Sequence, residues 1–161
     1  MKILNTQQIR EADQYTIAHE PVLSIDLMER AAGACCRWIE DHFTKDRSVK
    51  IFCGPGNNGG DGLAIGRMLI HSGYSVEVFT IRTGQKVSDD FKENEKRLMA
   101  MDPGVIREIK LEKDIPFISV DELVVDAIFG SGLNRAVDGI GAKVIEEING
   151  SRAFVVSIDI P

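Results

Sequence analysis

The sequence predicts an α/β fold in which a mostly parallel sheet lies between two layers of helices and is preceded by two further helices. From residue 49 onward, short apolar runs typical of strands alternate with segments of helical periodicity. Two of these runs, residues 123–125 and 153–156, are apolar at every position, as in strands covered on both faces. Strands separated by single helices imply right-handed crossovers and parallel pairing. The expected architecture is therefore a Rossmann-like three-layer αβα sandwich.

Composition and charge indicate one globular domain spanning residues 1–161. A hydrophobic content of 43% is ample for a single core in a chain of this length. The longest apolar runs are too short to span a membrane, and polar residues follow the first four positions at once, so we expect a cytoplasmic protein. A formal net charge of −6 argues against sequence-independent binding to nucleic acid. It does not exclude an anionic small molecule held by backbone N–H groups.

Two helices are predicted before the first strand. Thr6 is the expected N-cap of the first helix, which runs to about His19 and is stopped before Pro21. Ser24 is the expected N-cap of the second, in which apolar residues recur at helical spacing as far as Trp38. Trp38 is interpreted as a core residue rather than as a platform for a ligand.

Five strands and three helices complete the predicted order. Gly73 closes the helix after the first strand, Ser88 caps the next helix, and the last helix covers about residues 140–148. The strands are expected at Val49–Cys53, Val76–Ile81 and residues 105–109, 123–129 and 154–160.

The three cysteines form neither a disulfide framework nor a spaced set of metal ligands. Cys35 and Cys36 are adjacent in a helical segment, and Cys53 ends a strand. They are interpreted as partly buried, inert thiols.

Three polar or glycine-rich segments are expected at the carboxyl edge of the sheet. They follow three different strands and cover residues 54–62, 126–136 and 157–161. Ligands of such sheets bind beyond the carboxyl ends of the strands. The convergence of these segments is the main functional prediction from the pattern.

The first segment has a glycine pattern that suits phosphate. Gly54, Gly56 and Gly59 satisfy a GxGxxG spacing between a strand and a helix, where positive φ and close approach of backbone N–H groups are useful. Asp61 is expected in the first turn of the helix. A glycine-rich turn without a ligand is the open alternative.

An ordinary NAD-dependent dehydrogenase is disfavoured by the second strand. Its dinucleotide-binding sequence would place an acid at the end of that strand. Here Glu77 lies inside the strand, whose end carries Thr80, Ile81 and Arg82. A phosphate-binding loop with lysine is also absent from the sequence, since no Gly-Lys-Ser or Gly-Lys-Thr follows.

The second and third segments supply carboxylates. Asp126 ends an apolar strand, residues 130–132 offer a second backbone nest, and Arg135 could pair with phosphate. It is equally open that Asp126 caps the following turn and that Arg135 is solvated. Asp159 lies between two isoleucines, where a carboxylate is costly unless it is paired, bound to metal or catalytic. Its alternative is an exposed carboxylate at the end of the chain.

Together the three segments resemble the YjeF N-terminal domain, the NAD(P)H-hydrate epimerase family. The most specific parts are Gly-Pro-Gly-Asn-Asn-Gly-Gly-Asp-Gly at 54–62, Asp-Ala-Ile-Phe-Gly-Ser-Gly-Leu at 126–133 and Ser-Ile-Asp-Ile-Pro at 157–161. The resemblance implies interconversion of the R and S epimers of hydrated NADH and NADPH at nicotinamide C6, within nicotinamide nucleotide repair. It also implies a functional partner, a dehydratase that restores the reduced cofactor and is fused to the epimerase in some relatives.

The resemblance further implies a set of site residues. Asp159 would face the substrate and act as the catalytic acid and base, and Asn58 and Asp126 would ligate a potassium ion. The residues implied to contact the hydrated cofactor are Asn57, Asn58, Gly59, Gly60, Asp61, Gly130, Ser131, Gly132, Leu133, Asn134, Arg135, Ala136 and Asp159.

Family members continue beyond the Ile-Pro with a serine that is a further potassium ligand, so the resemblance implies a domain that is incomplete at its C-terminus. A homodimer is an expectation from the resemblance alone. The alternative function is a non-catalytic nucleotide-binding or protein-interaction module of the same fold. The intact Asn-Asn-Gly-Gly-Asp sequence disfavours this alternative.

Overall fold

Five strands form one sheet in the computed structural model, which describes residues 5–20, 22–82, 86–133 and 136–159. The order across the sheet is β3-β2-β1-β4-β5, and each neighbouring pair is parallel. The predicted α/β class with a parallel sheet is therefore confirmed. In chain order the strands are β1 (Val49–Cys53), β2 (Val76–Ile81), β3 (Ile106–Ile109), β4 (Leu123–Ala127) and β5 (Phe154–Ser157).

Helices cover both faces of this sheet. On one face α2, α3 and α4 share a buried cluster with the sheet, and α1 packs on α2. On the other face α5 packs on a second cluster, to which residues just after a short 3₁₀ helix contribute. The helices are α1 (Thr6–His19), α2 (Ser24–His42), α3 (Asn57–His71), α4 (Asp89–Met101), α5 (Gly139–Gly150) and the 3₁₀ helix (Glu112–Asp114).

The strand register aligns the three predicted segments. Cys53 is paired with Ala127, and Asp126 is paired with Ser157. Because the strands are parallel, β1, β4 and β5 all end at one edge of the sheet. Two further hydrogen bonds continue the pairing there, from Gly54 N to Ala127 O at 3.0 Å and from Ile158 N to Asp126 O at 2.9 Å.

Both predicted caps of the N-terminal helices are wrong by one residue. Asn5 caps α1, since its side chain accepts a hydrogen bond from Gln8 N and the Gln8 side chain accepts one from Asn5 N. Leu23 is the N-cap of α2, and Ser24 Oγ donates instead to Asp90 at 2.6 Å. The Ser88 cap of α4 is confirmed by a hydrogen bond from Phe91 N to Ser88 Oγ.

Gly73 closes α3 as predicted. It has φ of 89°, and its N–H donates to Ile70 O. This left-handed conformation is the one in which glycine ends a helix without strain.

Three strands are shorter than predicted: β3 begins one residue late, at Ile106, and β4 and β5 end early. β4 ends at Ala127 because Asp126 Oδ1 accepts a hydrogen bond from Ile128 N, which turns the chain. β5 ends at Ser157 and is also largely exposed, with Phe154 51% accessible, because it lies at the edge of the described sheet. The expectation that residues 153–156 are covered on both faces is therefore wrong.

Trp38 is a surface residue, contrary to the prediction of a core position. Its side chain is 44% exposed and stacks on His42, with the ring centroids 4.1 Å apart. The helical spacing of the apolar residues was right, but Trp38 lies at the rim of the buried face of α2. Among the described helices, none is long and apolar enough to cross a membrane.

Candidate functional site

A cavity of about 860 Å³ opens at the carboxyl edge of the sheet. Its volume is in the upper part of the range of ~300–1,000 Å³ that is usual for small-molecule sites. The three predicted segments supply most of its wall, and α1 and α2 supply the rest. Its lining residues are Ile9, Asp13, Ala31, Ala32, Cys35, Pro55, Gly56, Asn57, Asn58, Asp61, Ile128, Phe129, Gly130, Ser131, Gly132, Leu133, Ile158 and Asp159.

The first segment is largely helical. α3 begins at Asn57, so Asp61 lies in its second turn rather than in the first turn as predicted. The positive-φ glycines of the described residues are Gly73 and Gly139, so the glycines of this segment do not use the positive φ that their spacing suggested. Space explains the glycines instead: a Cβ on Gly59 would lie 1.8 Å from Gly54 O. Only glycine at 59 lets the start of α3 lie against the end of β1.

The N-terminus of α3 has exposed donors beside the cavity. Its N-cap is Gly56, which has no side chain to accept from the first N–H groups of the helix. Gly56 and Asn57 are both exposed and both line the cavity. Such a helix end binds anions, because free N–H groups and the helix dipole point at the same place.

Asn58 is buried and is only half satisfied. Its amide nitrogen donates to Phe129 O at 2.8 Å, which fixes the direction of the side chain. The other end, Oδ1, is buried and has no hydrogen-bond partner among the described residues. An unpaired buried carbonyl oxygen costs about 1–3 kcal/mol, so this atom calls for a partner.

Gly130 joins all three segments. A Cβ at this position would lie 2.4 Å from Asp159 Oδ2 and 3.2 Å from the Cβ of Asn58. The next residue, Ser131, donates its backbone N–H to Asp159 Oδ2. The second segment therefore packs against side chains of both the third and the first segment.

Asp159 has an unusual backbone. Its φ is 72°, in the left-handed region that aspartate and asparagine tolerate better than most residues. Its side chain is exposed, lines the cavity and is held by the bond from Ser131. One carboxylate oxygen thus remains available to a ligand.

Asp126 lies near the end of β4 and is not among the residues that line the cavity. Burial raises the pKa of its carboxyl, and the hydrogen bond from Ile128 N opposes this rise. That bond shows that Asp126 does cap the following turn, the alternative left open by the sequence. The bond engages only Oδ1.

Asp61 has the most perturbed carboxyl of the cavity wall. Burial raises its pKa to about 7, with further contributions from the negative charges of Asp159, Asp90 and Asp13. Among the described residues of the wall, Asp13, Asp61 and Asp159 are acidic and none is basic. An anionic ligand therefore needs compensation from backbone N–H groups or from a cation.

The structure brings most of the predicted site residues together. Gly59 and Gly60 lie buried beneath the wall, and Ala136 is exposed outside it. Asn134 and Arg135 lie outside the described residues. The residues of the predicted set that line the cavity are Asn57, Asn58, Asp61, Gly130, Ser131, Gly132, Leu133 and Asp159.

Sequence reasoning missed the contribution of the N-terminal helices. Ile9 and Asp13 of α1 and Ala31 and Cys35 of α2 line the cavity. Only long-range packing brings them there, so no local signal marks them. Cys35 is half-buried, with its thiol pKa raised first by burial and then by Asp61, which agrees with an inert thiol.

Comparisons with known proteins agree with this geometry. The family model described as YjeF-related protein N-terminus matches residues 24–161. An NAD(P)H-hydrate epimerase of Limosilactobacillus fermentum is 35% identical over 98% of this chain and 73% of its own length. One of Anaerococcus prevotii is 38% identical over the whole chain and 74% of its own length.

The chain also matches part of a longer enzyme and the fold of a solved structure. The bifunctional NAD(P)H-hydrate repair enzyme Nnr of Thermofilum pendens is 36% identical over the whole chain, which spans only 31% of that enzyme. The crystal structure of yeast ynu0, YNL200c, superposes with a TM-score of 0.75 at 22% identity, covering all of this chain and 71% of the yeast chain. This likeness supports the fold.

Proposed function

Because the chain belongs to the family described as YjeF-related protein N-terminus, we propose that it interconverts the R and S epimers of hydrated NADH and NADPH at nicotinamide C6. The activity is that of an isomerase. Relatives that match nearly the whole chain are named NAD(P)H-hydrate epimerase. The observation that carries the proposal is the meeting of the three family motifs on one cavity, with Gly130 packed against both Asn58 and Asp159.

The N-terminus of α3 is the natural site for the phosphates of the substrate. No side chain caps this helix, and Gly56 and Asn57 line the cavity, so backbone N–H groups there can donate to phosphate oxygens. The nicotinamide ring would then extend toward Asp159. The apolar part of the wall, which includes Ile9 and Phe129, suits a flat ring.

Asp159 can move the proton that the reaction needs. The C6 hydroxyl leaves when the lone pair of ring N1 forms a double bond to C6, and a carboxyl group must protonate the departing oxygen. Water then returns to C6 and gives up a proton. Asp159 is suited to this work because the bond from Ser131 orients it toward the cavity.

We propose that oxygen atoms of Asn58 and Asp126 hold a potassium ion. Asn58 Oδ1 is buried and has no hydrogen-bond partner in the described parts of the chain, and Asp126 has one carboxylate oxygen not engaged by Ile128. Amide and carboxylate oxygens are ligands of hard cations. When bound, the ion would supply positive charge that offsets the phosphates in an acidic cavity. It would orient the substrate without taking part in bond breaking.

The activity test uses the full chain and the pure R epimer of hydrated NADPH. We expect the S epimer to form faster than in buffer alone, as resolved by chromatography. Asp159→Asn should lower this rate at least tenfold, and asparagine is chosen because it also tolerates positive φ. Glu147→Gln, on the exposed face of α5, is the matched control and should equal the wild type. No acceleration by the wild-type chain would exclude the proposed function.

The cation test compares potassium with sodium at equal ionic strength. We expect potassium to raise the Tm of the wild type and to tighten its binding of NADPH. Asn58→Ala also loses the bond to Phe129, so its stability falls in both salts. The informative quantity is the difference between the salts, which should vanish in Asn58→Ala. An equal Tm of the wild type in both salts would remove the potassium site.

The proposal extends to the cellular setting. A dehydratase that consumes the S epimer is the expected functional partner, in line with relatives named bifunctional NAD(P)H-hydrate repair enzyme. We place the reaction in the cytoplasm, where the free thiols of Cys35, Cys36 and Cys53 suit a reducing compartment. A homodimer remains a prediction for sedimentation analysis.

A further inference from the structure

Resting on the proposed epimerase function, we infer that Asp61 is a second catalytic carboxyl group, which protonates the hydroxyl leaving C6 while Asp159 accepts the proton of the returning water. Neither the glycine motif nor the family match assigns this step to Asp61. The cavity geometry carries it.

Asp61 and Asp159 reach the cavity from different elements. Asp61 lies one helical turn after Asn57 on α3, so both residues lie on the face that lines the cavity. Asp159 reaches the cavity from the segment after β5 and is anchored by Ser131. By contrast, no hydrogen bond or ion pair holds the carboxyl of Asp61 within the described part of the chain. The wall of the cavity thus contains one anchored and one unanchored carboxyl group.

Several groups on surrounding elements act on Asp61. Asp13 on α1, Asp90 on α4 and Asp159 add negative charge, and each makes ionisation of Asp61 harder. The thiols of Cys35 on α2 and Cys53 on β1 have pKa values raised first by burial, with the charge of Asp61 among the further causes. Burial is the largest cause of the raised pKa of Asp61, which is about 7. A large fraction of Asp61 is therefore protonated at neutral pH and can act as an acid.

Epimerisation needs proton transfer on both faces of the ring. On one face the C6–O bond breaks, the lone pair of N1 forms the N1–C6 double bond, and the proton of Asp61 converts the leaving hydroxyl to water. On the other face a water oxygen bonds to C6, the double-bond electrons return to N1, and Asp159 takes the released proton. The step is redox-neutral and uses only water. The proton then returns from Asp159 to Asp61 through solvent.

The same pair serves both directions. When the S epimer reacts, the protonated Asp159 is the acid and the ionised Asp61 is the base, by microscopic reversibility. In each direction the active pair holds one proton. Activity is therefore expected to fall as pH rises above about 7, where Asp61 loses its proton.

Asp61→Asn is the first test, in the full chain with hydrated NADPH as substrate. We expect kcat to fall by about 10²–10⁴-fold, the usual size of general acid catalysis. NADPH binding, measured by calorimetry, should stay within about threefold of the wild type. Asp61→Glu, which keeps a carboxyl group, should recover part of the lost activity. Glu147→Gln is again the control.

Asp90→Asn tests the pH dependence without altering Asp61. It removes one negative charge that acts on Asp61, so the pH above which activity falls should move downward. Asp90 also accepts a hydrogen bond from Ser24, and Ser24→Ala controls for the loss of that bond. An unshifted profile would contradict the role of Asp61.

The outcomes separate this inference from the function on which it rests. An inactive wild-type chain removes both. An active wild type with Asp61→Asn retaining kcat within about threefold removes only the acid role. Loss of NADPH binding in Asp61→Asn would make Asp61 a binding residue and would also overturn the inference.

Discussion

Gly59 lies so close to the backbone of Gly54 that no side chain fits at this position. Alanine there would put a Cβ 1.8 Å from Gly54 O, and neither backbone can give way without separating α3 from β1. We expect Gly59→Ala to lower the free energy of unfolding by about 3 kcal/mol or more. Gly56→Ala is the matched control, since a Cβ there meets nothing within 4 Å. Urea unfolding measures both, and equal losses would refute this steric account.

Asp61 makes stability depend on pH. Its folded pKa of about 7 exceeds its ordinary value of 3.8, so its ionised form is disfavoured in the folded state. Its contribution to stability is full below about pH 4 and is lost as pH rises through about 7. An asparagine at position 61 does not ionise, so its contribution to stability does not change with pH.

We therefore expect Asp61→Asn to be more stable than the wild type at pH 8 by about 1–3 kcal/mol, with a much smaller difference at pH 4. Urea unfolding at the two pH values gives the comparison, and Glu147→Gln should show no such change. A difference independent of pH would mean that burial of the charge is not responsible. If Asp61 is also the acid, the variant gains stability where it loses activity.

For single residues, the sequence predicted which residues matter better than it predicted why they are needed. Asn58, Asp61 and Asp159 were all singled out from their segments, and all three line one cavity. The expected reasons for the glycines were positive φ and close approach of backbone N–H groups to phosphate, whereas Gly59 is required by contact with Gly54. A backbone contact across five residues leaves no trace in a pattern of residue types.

The elements are held together partly by charge. Glu29 on α2 accepts hydrogen bonds from Arg67 on α3 and from Arg97 on α4. All three side chains are partly buried, so solvent screens these pairs less than surface pairs. Glu93 also pairs with Arg97, but within α4 and in a more exposed place.

We expect Glu29→Gln to cost about 1–2 kcal/mol of unfolding free energy, because two arginines on neighbouring helices lose their common anion. Glu93→Gln should cost less than about 0.5 kcal/mol, as is usual for exposed pairs within a helix. Chemical denaturation at low and high salt distinguishes them. Equal costs would show that the link between helices contributes nothing beyond an ordinary surface pair.

Element boundaries were predictable where the apolar run itself ends at the strand end. β1 and β2 match the predicted bounds because glycine or polar residues flank them. β4 did not, since apolar residues continue past Ala127 while the side chain of Asp126 turns the chain. The start of α3 was missed because glycine disfavours helices locally, and packing against β1 overrides that preference.

At the scale of the whole molecule, the carboxyl ends and the amino ends of the parallel strands differ in chemistry. The carboxyl edge carries the cavity and its unpaired groups. The opposite half of β1 carries Lys50, a buried lysine paired with Glu122 on the turn before β4 and with Glu77 on β2. Glu122 is further held by Ser119 N and by the hydroxyl of Ser48. The sequence predicted the functional edge from parallel topology, but the lysine inside a strand gave no sign of its partners.

This separation predicts that stability and function respond independently. Lys50→Met keeps an unbranched side chain but removes the positive charge that pairs with Glu122. Because Glu122 retains two other hydrogen-bond donors, we expect a loss of about 1–3 kcal/mol of unfolding free energy.

Lys50 lies about 13 Å along the strand from Gly54, at roughly 3.3 Å per residue. Substitutions that far apart and without shared partners are additive within about 0.5 kcal/mol. Lys50→Met should therefore leave NADPH binding unchanged, and its effect on unfolding should add to that of Asp159→Asn. A coupling above about 1 kcal/mol in urea unfolding of the double variant would show that the two ends of the strands are energetically coupled.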